Sequence, residues 1–414
     1  MRWFVGVYLG ALAGLVAAGV AGGVLLFRSY GPDGPAEATA DAHAYDFLTW
    51  EVQHFPRKWI YKARHLLDRR SSNDEEQAIG RYFDLVGRIS SLEQQAGNSS
   101  ELRTAEQQRD DLKPQVEDII EGRMTSVLED QHLAMEPPLF NDLGLIFPPA
   151  DFALDAPPRL LVVSPRNRIE LQHSYPLEAG LERADFEEIE RQAESENGPV
   201  TGVSAVVVGT GGVATYPAVV SSGDTYEQAV ETAFHEWTHQ YLAFFPLGRS
   251  YFSGADLRTL NETAADLAGA ALAEVYFRRY PHLEPAANPA PSPSPAPSPT
   301  PEATPGASFD FTAAMRDLRR QVEDMLAHGE VTEAEALMEQ KREDLAQKGY
   351  AIRKLNQAYF AFHGSYANTP GSIDPIGPKM EALLKGAGSP GAFVRLAAGI
   401  TSRADLDRIL AAEG

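Results

Sequence analysis

Within the stretch ETAFHEWTHQYLAFF, Glu231 to Phe245, two histidines stand four residues apart with a glutamate beside the first. On a helix, positions i and i+4 share a face, so His235 and His239 can aim both imidazoles at one point. Two neutral imidazoles converging on a point suit Zn²⁺, and Glu236 then stands where it can take a proton from a water activated there. The residues around these three are mostly apolar. A buried helix does not carry His, Glu and His together unless something satisfies them.

A carboxylate is wanted as third ligand, and NETAAD, Asn261 to Asp266, supplies one on the next helix. Glu262 follows His239 by 23 residues, enough chain to end one helix, turn and return on another. Asp266 sits one helical turn further along the same face. From there it can accept the second ring N–H of a metal-binding histidine and fix its tautomer, with Asn261 at the start of the same motif as a further supporting residue. The chain has no cysteine, which excludes thiolate ligands, so a metal must be held by His, Asp or Glu. One zinc ion is the expected cofactor.

H-E-x-x-H followed by N-E-x-x-x-D is similar to the pattern of the gluzincins, the thermolysin-like superfamily of zinc metallopeptidases. The resemblance covers about Val203 to Tyr280. It implies His235, His239 and Glu262 as ligands, Glu236 as general base, Asp266 as partner of His235, and a peptide or protein substrate. It further implies a Tyr or His from later in the chain at the developing oxyanion. LNQAYFAFHGSYANTP offers His363 and Tyr366, with Tyr359 behind them, although His363 also reads as a helix-end residue and Tyr359 as core. An edge strand just before the metal-binding helix, taking an extended substrate by strand addition, is implied as well. VATYPAVV holds that place, with Ala214, Thr215 and Tyr216 as the substrate-binding candidates and Pro217 tolerated at an edge. This run has no acidic residue to hold a free amine, which leans toward an endopeptidase. The wider set of SPR, ATYP, HEWTHQYL, PLG and NET resembles a group of bacterial membrane-anchored proteins.

The rest of the chain must position these residues. Its 414 residues suffice for one large or two ordinary domains, and a net charge of −22 speaks against nucleic acid as partner. Residues Trp3 to Phe27 carry no charge and are flanked by Arg2 and Arg28. As a helix they would span about 37 Å, more than the roughly 30 Å hydrocarbon core. The expectation is a single-pass anchor with a cytoplasmic N-terminus and the catalytic body outside. Gly6, Gly10 and Gly14 form a small-residue stripe that can pair such helices, although apolar anchors are rich in Gly in any case.

Beyond this anchor (1–30) and a tether (31–44), residues 45–140 read as helices, including a long hairpin. A zincin-like catalytic core is expected over 141–283, a Pro/Ala/Ser-rich disordered insert over 284–308, and the helical remainder of the catalytic domain over 309–414. VSAVVVGTGGVATYPAVV reads as two strands joined by a Gly-rich turn, a hairpin. The expected fold class is α+β and mostly helical, with a small sheet beside the active-site helices. The competing expectations are a zinc-stabilised binding module without catalysis, and a partner surface on 45–134 carrying a degenerate peptidase.

Overall fold

The protein, as a computed structural model, is described over residues 34–65, 70–94, 99–133, 146–198, 200–281, 309–367 and 369–413. Helices α1 (Pro35–Ala42), α2 (Phe47–His65), α3 (Ser72–Gln94) and α4 (Ser99–Asp130) come first. Strands β1 (Phe152–Asp155), β2 (Arg159–Pro165) and β3 (His173–Leu177) lead to α5 (Arg183–Ala193), then β4 (Val203–Gly209), β5 (Gly212–Val213) and β6 (Ala218–Ser221). The H-E-x-x-H helix is α6 (Tyr226–Leu242), and NETAAD lies on α7 (Ala255–Arg279). The C-terminal part is α8 (Phe311–Ala327), α9 (Val331–Gln347), α10 (Gln357–His363), α11 (Ile376–Gly386), α12 (Pro390–Ala398) and α13 (Arg403–Glu413).

Local chemistry sets the start of α6. The Thr225 side chain accepts from the Gln228 N–H, and the Gln228 side chain accepts from the Thr225 N–H, so two otherwise bare donors are satisfied. The helix stops at Leu242, and Pro246 opens a short turn after it. Val230, Phe234, Trp237 and Tyr241 recur at helical spacing and are buried. Trp237 donates its indole N–H to the Pro148 carbonyl at 2.9 Å, so its polar atom is satisfied inside the core.

Helix α7 is built to come close. Ala264, Ala265 and Ala268 are buried, and a Cβ on Gly269 would stand 3.0 Å from the Glu231 carbonyl and 3.1 Å from His235 Cβ. The two helices therefore meet almost backbone to backbone beside His235. The surrounding core joins residues of α3 and α4 (Ile79, Tyr82, Ile120, Leu128) to α6, α7 and the last three helices. A separate apolar cluster ties α8, α9 and α10 together through Met315, Val322, Met338 and Phe360.

Two small sheets complete the fold, ordered β3-β2-β4 and β1-β6-β5. The first is antiparallel throughout; in the second, β1 runs parallel to β6 and β5 antiparallel to it. The hairpin expected across 203–220 is not formed, because its two runs belong to different sheets. The edge of β4 away from β2 is already taken by side chains: the Ala205 and Val207 N–H groups donate to Glu194 at 2.8 Å and Glu190 at 2.7 Å, and their carbonyls accept from Asn356 and Arg353 at 2.9 Å each. The chain crosses at Thr210, whose hydroxyl donates to the Pro158 carbonyl at 2.9 Å, and enters the second sheet instead.

The expected membrane-spanning segment, with Gly6, Gly10 and Gly14, lies outside the described residues, as do residues 31–33 and the insert 284–308. Among the described residues no helix is long and apolar enough to cross a membrane. The long helices carry charges along their whole length, as SSELRTAEQQRDDLKPQ in α4 illustrates. Fold class and localisation are corrected accordingly: the fold is mostly helical with two small sheets, and the single-pass anchor is not supported.

The carboxyl of Glu51 is buried with little compensation. Glu51 on α2 is 1 % exposed, and neither carboxylate oxygen has a hydrogen-bond partner. Burial pushes it up to about 7, and the Tyr216 backbone nearby offsets only part of that. A folded-state value above the unfolded one means the folded protein holds the proton more tightly. Stability therefore falls as pH rises from the ordinary carboxylate range through about 7. Replacing it with neutral Glu51→Gln is expected to raise the thermal midpoint at about pH 8.5, by roughly 1 °C for each kcal/mol recovered in a chain of this length. The gain should vanish near about pH 4, where both states bind the proton; a gain equal at both pH values would refute the assignment.

Candidate metal centre

Helices α6 and α7 bring His235, His239 and Glu262 to one point. The two Nε2 atoms lie 3.0 Å apart, and Glu262 Oε2 lies 3.4 Å from that of His239 and 3.9 Å from that of His235. Among the described residues, this is the group of metal-ligating side chains whose donor atoms all fall within 4.8 Å of one another. Metal–ligand distances of about 2.0–2.1 Å at tetrahedral angles put neighbouring donors about 3.3 Å apart. The observed triangle brackets that value. The donor set fits a small divalent cation, and two imidazoles with a carboxylate suit zinc without excluding its transition-metal neighbours.

The groups around the triangle orient it. Asn261 Oδ1 accepts from His239 Nδ1 at 2.7 Å, which fixes the proton on that side and turns the Nε2 lone pair toward the shared point. Asp266 Oδ1 faces His235 Nδ1 at 3.8 Å, on the expected side but longer than a hydrogen bond. Tyr251 donates its hydroxyl to Glu262 Oε1, leaving Oε2 for the ion. Sequence reasoning missed Tyr251. It lies on a single turn, Tyr251–Ser253, between the two helices, and no repeat or motif distinguishes it; only the fold shows that its hydroxyl reaches Glu262 and its ring lies 6.4 Å from that of His239.

Glu236 projects from α6 beside the triangle, close enough to feel the charges of His239 and Glu262. It is 6 % exposed and lies under β5, where a Cβ on Gly212 would stand 2.7 Å from Glu236 Oε1 and 2.6 Å from the Val219 carbonyl. The glycine cluster GTGG thus does more than turn the chain: Gly212 makes room for this carboxylate. Of the expected substrate-binding residues, Thr215 and Tyr216 face inward. The Tyr216 hydroxyl donates to Asp151 Oδ2 at 2.6 Å, and Thr215 donates its hydroxyl to the Pro217 carbonyl at 2.8 Å. The Thr215 carbonyl accepts from Gln240 of α6 at 2.5 Å, and Ala214 beside it is half-buried. Regular strand is limited to Gly212–Val213, so the sheet edge next to the centre is shorter than expected.

Of the two residues considered for the oxyanion, Tyr366 comes to the centre. Its ring lies 6.4 Å from that of His235, and it feels the charges of Glu262, Glu236 and Asp266. His363 ends α10 and packs against Tyr359 at 4.2 Å and Phe362 at 5.2 Å between ring centres. Burial pushes His363 down to about 4, which keeps it neutral.

Burial dominates the electrostatics. It pushes Glu236 up to about 8 against the pull of His239, and pushes His235 down to about 3 with His239 adding to the effect. On His239 burial opposes the charge, but Glu262 outweighs it and holds the imidazole at about 9. On Glu262 burial is likewise overcome, chiefly by His239, and the carboxyl falls to about 2. The side chains alone thus carry one ion pair, with His235 and Glu236 neutral beside it. A dication at the shared point would displace the His239 proton and draw Glu236 toward its ionised form.

Removing either orienting group should loosen the ion without unfolding the protein. Asn261→Ala and Tyr251→Phe are each expected to weaken zinc binding about 10–100-fold, measured by competition against a chromogenic chelator. Wild-type affinity in both variants would mean the triangle needs no support from them. No family model, curated protein or solved structure matches the chain, so the centre rests on its own geometry and on the residue pattern that led to it.

Proposed function

We propose that the protein is a zinc metallopeptidase of gluzincin type, with His235, His239 and Glu262 as ligands and Glu236 as general base. The observation that carries this reading is Glu236: a buried carboxylate beside the donor triangle, outside it, with Gly212 leaving space above. A metal site serving only to hold the fold has no use for such a group, and burying a carboxyl without a task costs free energy.

Zinc, when bound, supplies Lewis acidity, lowering the pKa of water to about 7 and polarising a carbonyl. Glu236 takes a proton from the attacking water at its carboxylate and passes it to the leaving amine. The Tyr366 hydroxyl is the donor available to the oxygen that gains charge, close to His235 and kept protonated by burial. Tyr251 holds Glu262 by one oxygen, and Asn261 holds the His239 ring. An extended peptide adds to the edge of β5, whose other side pairs with β6.

The test compares the full chain with Glu236→Ala for metal content and for cleavage of an unbiased peptide library. One zinc per chain in both, with cleavage in the wild type reduced roughly 10²–10⁴-fold in the variant, is the expected result. Zinc in both proteins without cleavage in either would favour a binding module. A chain that takes up no metal would end the reading.

A further inference from the structure

The turn after α10 must hold Tyr366 against a centre built on two other helices, and the contacts of its ring give little direction. The ring centre lies 6.4 Å from that of His235 and 6.0 Å from that of Phe362. The peptide group that follows the ring is held at both ends. The Tyr366 carbonyl accepts from the Thr369 N–H at 3.1 Å and from the Thr369 hydroxyl at 3.0 Å. The Ala367 N–H donates to the Thr263 hydroxyl oxygen at 3.1 Å. Thr263, Ala367 and Thr369 are all buried, so a bond lost here has no water to replace it.

Thr263 is the residue after Glu262 on α7. A threonine inside a helix can bond its hydroxyl to the carbonyl four residues back, as Thr238 of α6 does to Phe234 at 2.8 Å. The Thr263 oxygen instead accepts from another element. Neighbouring helix positions point about 100° apart, so one turn of α7 aims Glu262 at the imidazoles and Thr263 at the Tyr366 loop. The other strong tie on this loop does not reach the centre. Arg319 of α8 donates to the Phe360 carbonyl at 3.2 Å and to the Gly371 carbonyl at 2.8 Å, drawing the two ends of the loop together. Arg319 closes the loop, and Thr263 sets its register against the ligand helix.

We infer that Thr263 is a positioning residue: by holding the Ala367 N–H it sets the Tyr366 hydroxyl in register with the metal ligands. This rests on the metallopeptidase reading. The test uses the zinc-loaded full chain with Thr263→Val, Thr263→Ala, Thr263→Ser and Tyr366→Phe, and with Thr263→Val and Tyr366→Phe combined. Three quantities are measured: zinc affinity, kcat and KM for a cleaved peptide, and affinity for a phosphinic peptide, which binds without turnover and offers charged oxygens to the Tyr366 hydroxyl. Thr263→Val and Thr263→Ala are expected to lower kcat and phosphinate affinity about tenfold, with KM and zinc affinity little changed. Thr263→Ser keeps the oxygen and should restore both. In the Tyr366→Phe background, Thr263→Val should cost about twofold at most, because the hydroxyl it positions is already gone.

A loss that follows zinc affinity, or that is equally large in the Tyr366→Phe background, would overturn the assignment, as would unchanged kcat and phosphinate affinity in Thr263→Val. If Thr263→Val does not fold, Thr263→Ala is read in its place, alone and combined with Tyr366→Phe. Absence of peptide cleavage by the wild type, with the phosphinate pattern intact, would overturn the peptidase reading and leave the coupling of Thr263 to Tyr366 standing. A wild type that neither cleaves peptides nor binds the phosphinate would overturn both.

Discussion

The close contact between α6 and α7 is the constraint on which the centre depends. A carboxylate on one helix reaches two imidazoles on another only if the axes approach closely, and side chains of ordinary size would hold them apart. Ala265, Ala268 and Gly269 remove that obstacle, and at Gly269 even a methyl group would stand 3.2 Å from the His235 backbone N. Everything else at the centre is secured from this contact: Asn261 and Glu262 are presented about two turns before Gly269, and Asp266 faces His235 from the same helix. Small residues here serve geometry, and the apolar ring of Phe234, Trp237 and Tyr241 around the rest of α6 supplies the burial that keeps the helix in place.

That burial has an electrical consequence. A polar cluster this deep resists charge, so the side chains settle on a single ion pair and keep two members neutral. The same low-polarity surroundings that make the cluster costly on its own make it responsive to a cation, because opposing charges interact more strongly away from water. Orientation is then enforced by few bonds, one from Asn261 and one from Tyr251, each on the far side of a ligand atom.

What could be read from the sequence follows from how local each signal is. His235, Glu236 and His239 sit on one helix, and their spacing alone defines a common face; Glu262 and Asp266 do the same on the next. Strand pairing was not legible, since whether β5 can join β4 depends on side chains such as Glu190, Arg353 and Asn356, which bond to the free edge of β4 and lie outside the strand's own run of sequence. Tyr251 was invisible because a lone tyrosine on a three-residue turn has no period and no motif. His363 and Tyr366, three residues apart, looked equivalent; the turn after α10 sends one ring toward His235 and leaves the other among Tyr359 and Phe362.

The breadth of the main core bears on the order of events when the chain folds. Its residues run from Ala78 to Leu406, so the packing around α6 draws on helices made both well before it and well after it. Contacts of such long sequence separation form late, once the loop entropy of closing them has been met. On a ribosome, α6 and α7 would emerge as an unfinished pair, with Tyr366 and the covering helices α11 to α13 still to come. The donor triangle of a chain organised in this way reaches its full packing only after residues as late as Leu406 have joined the core.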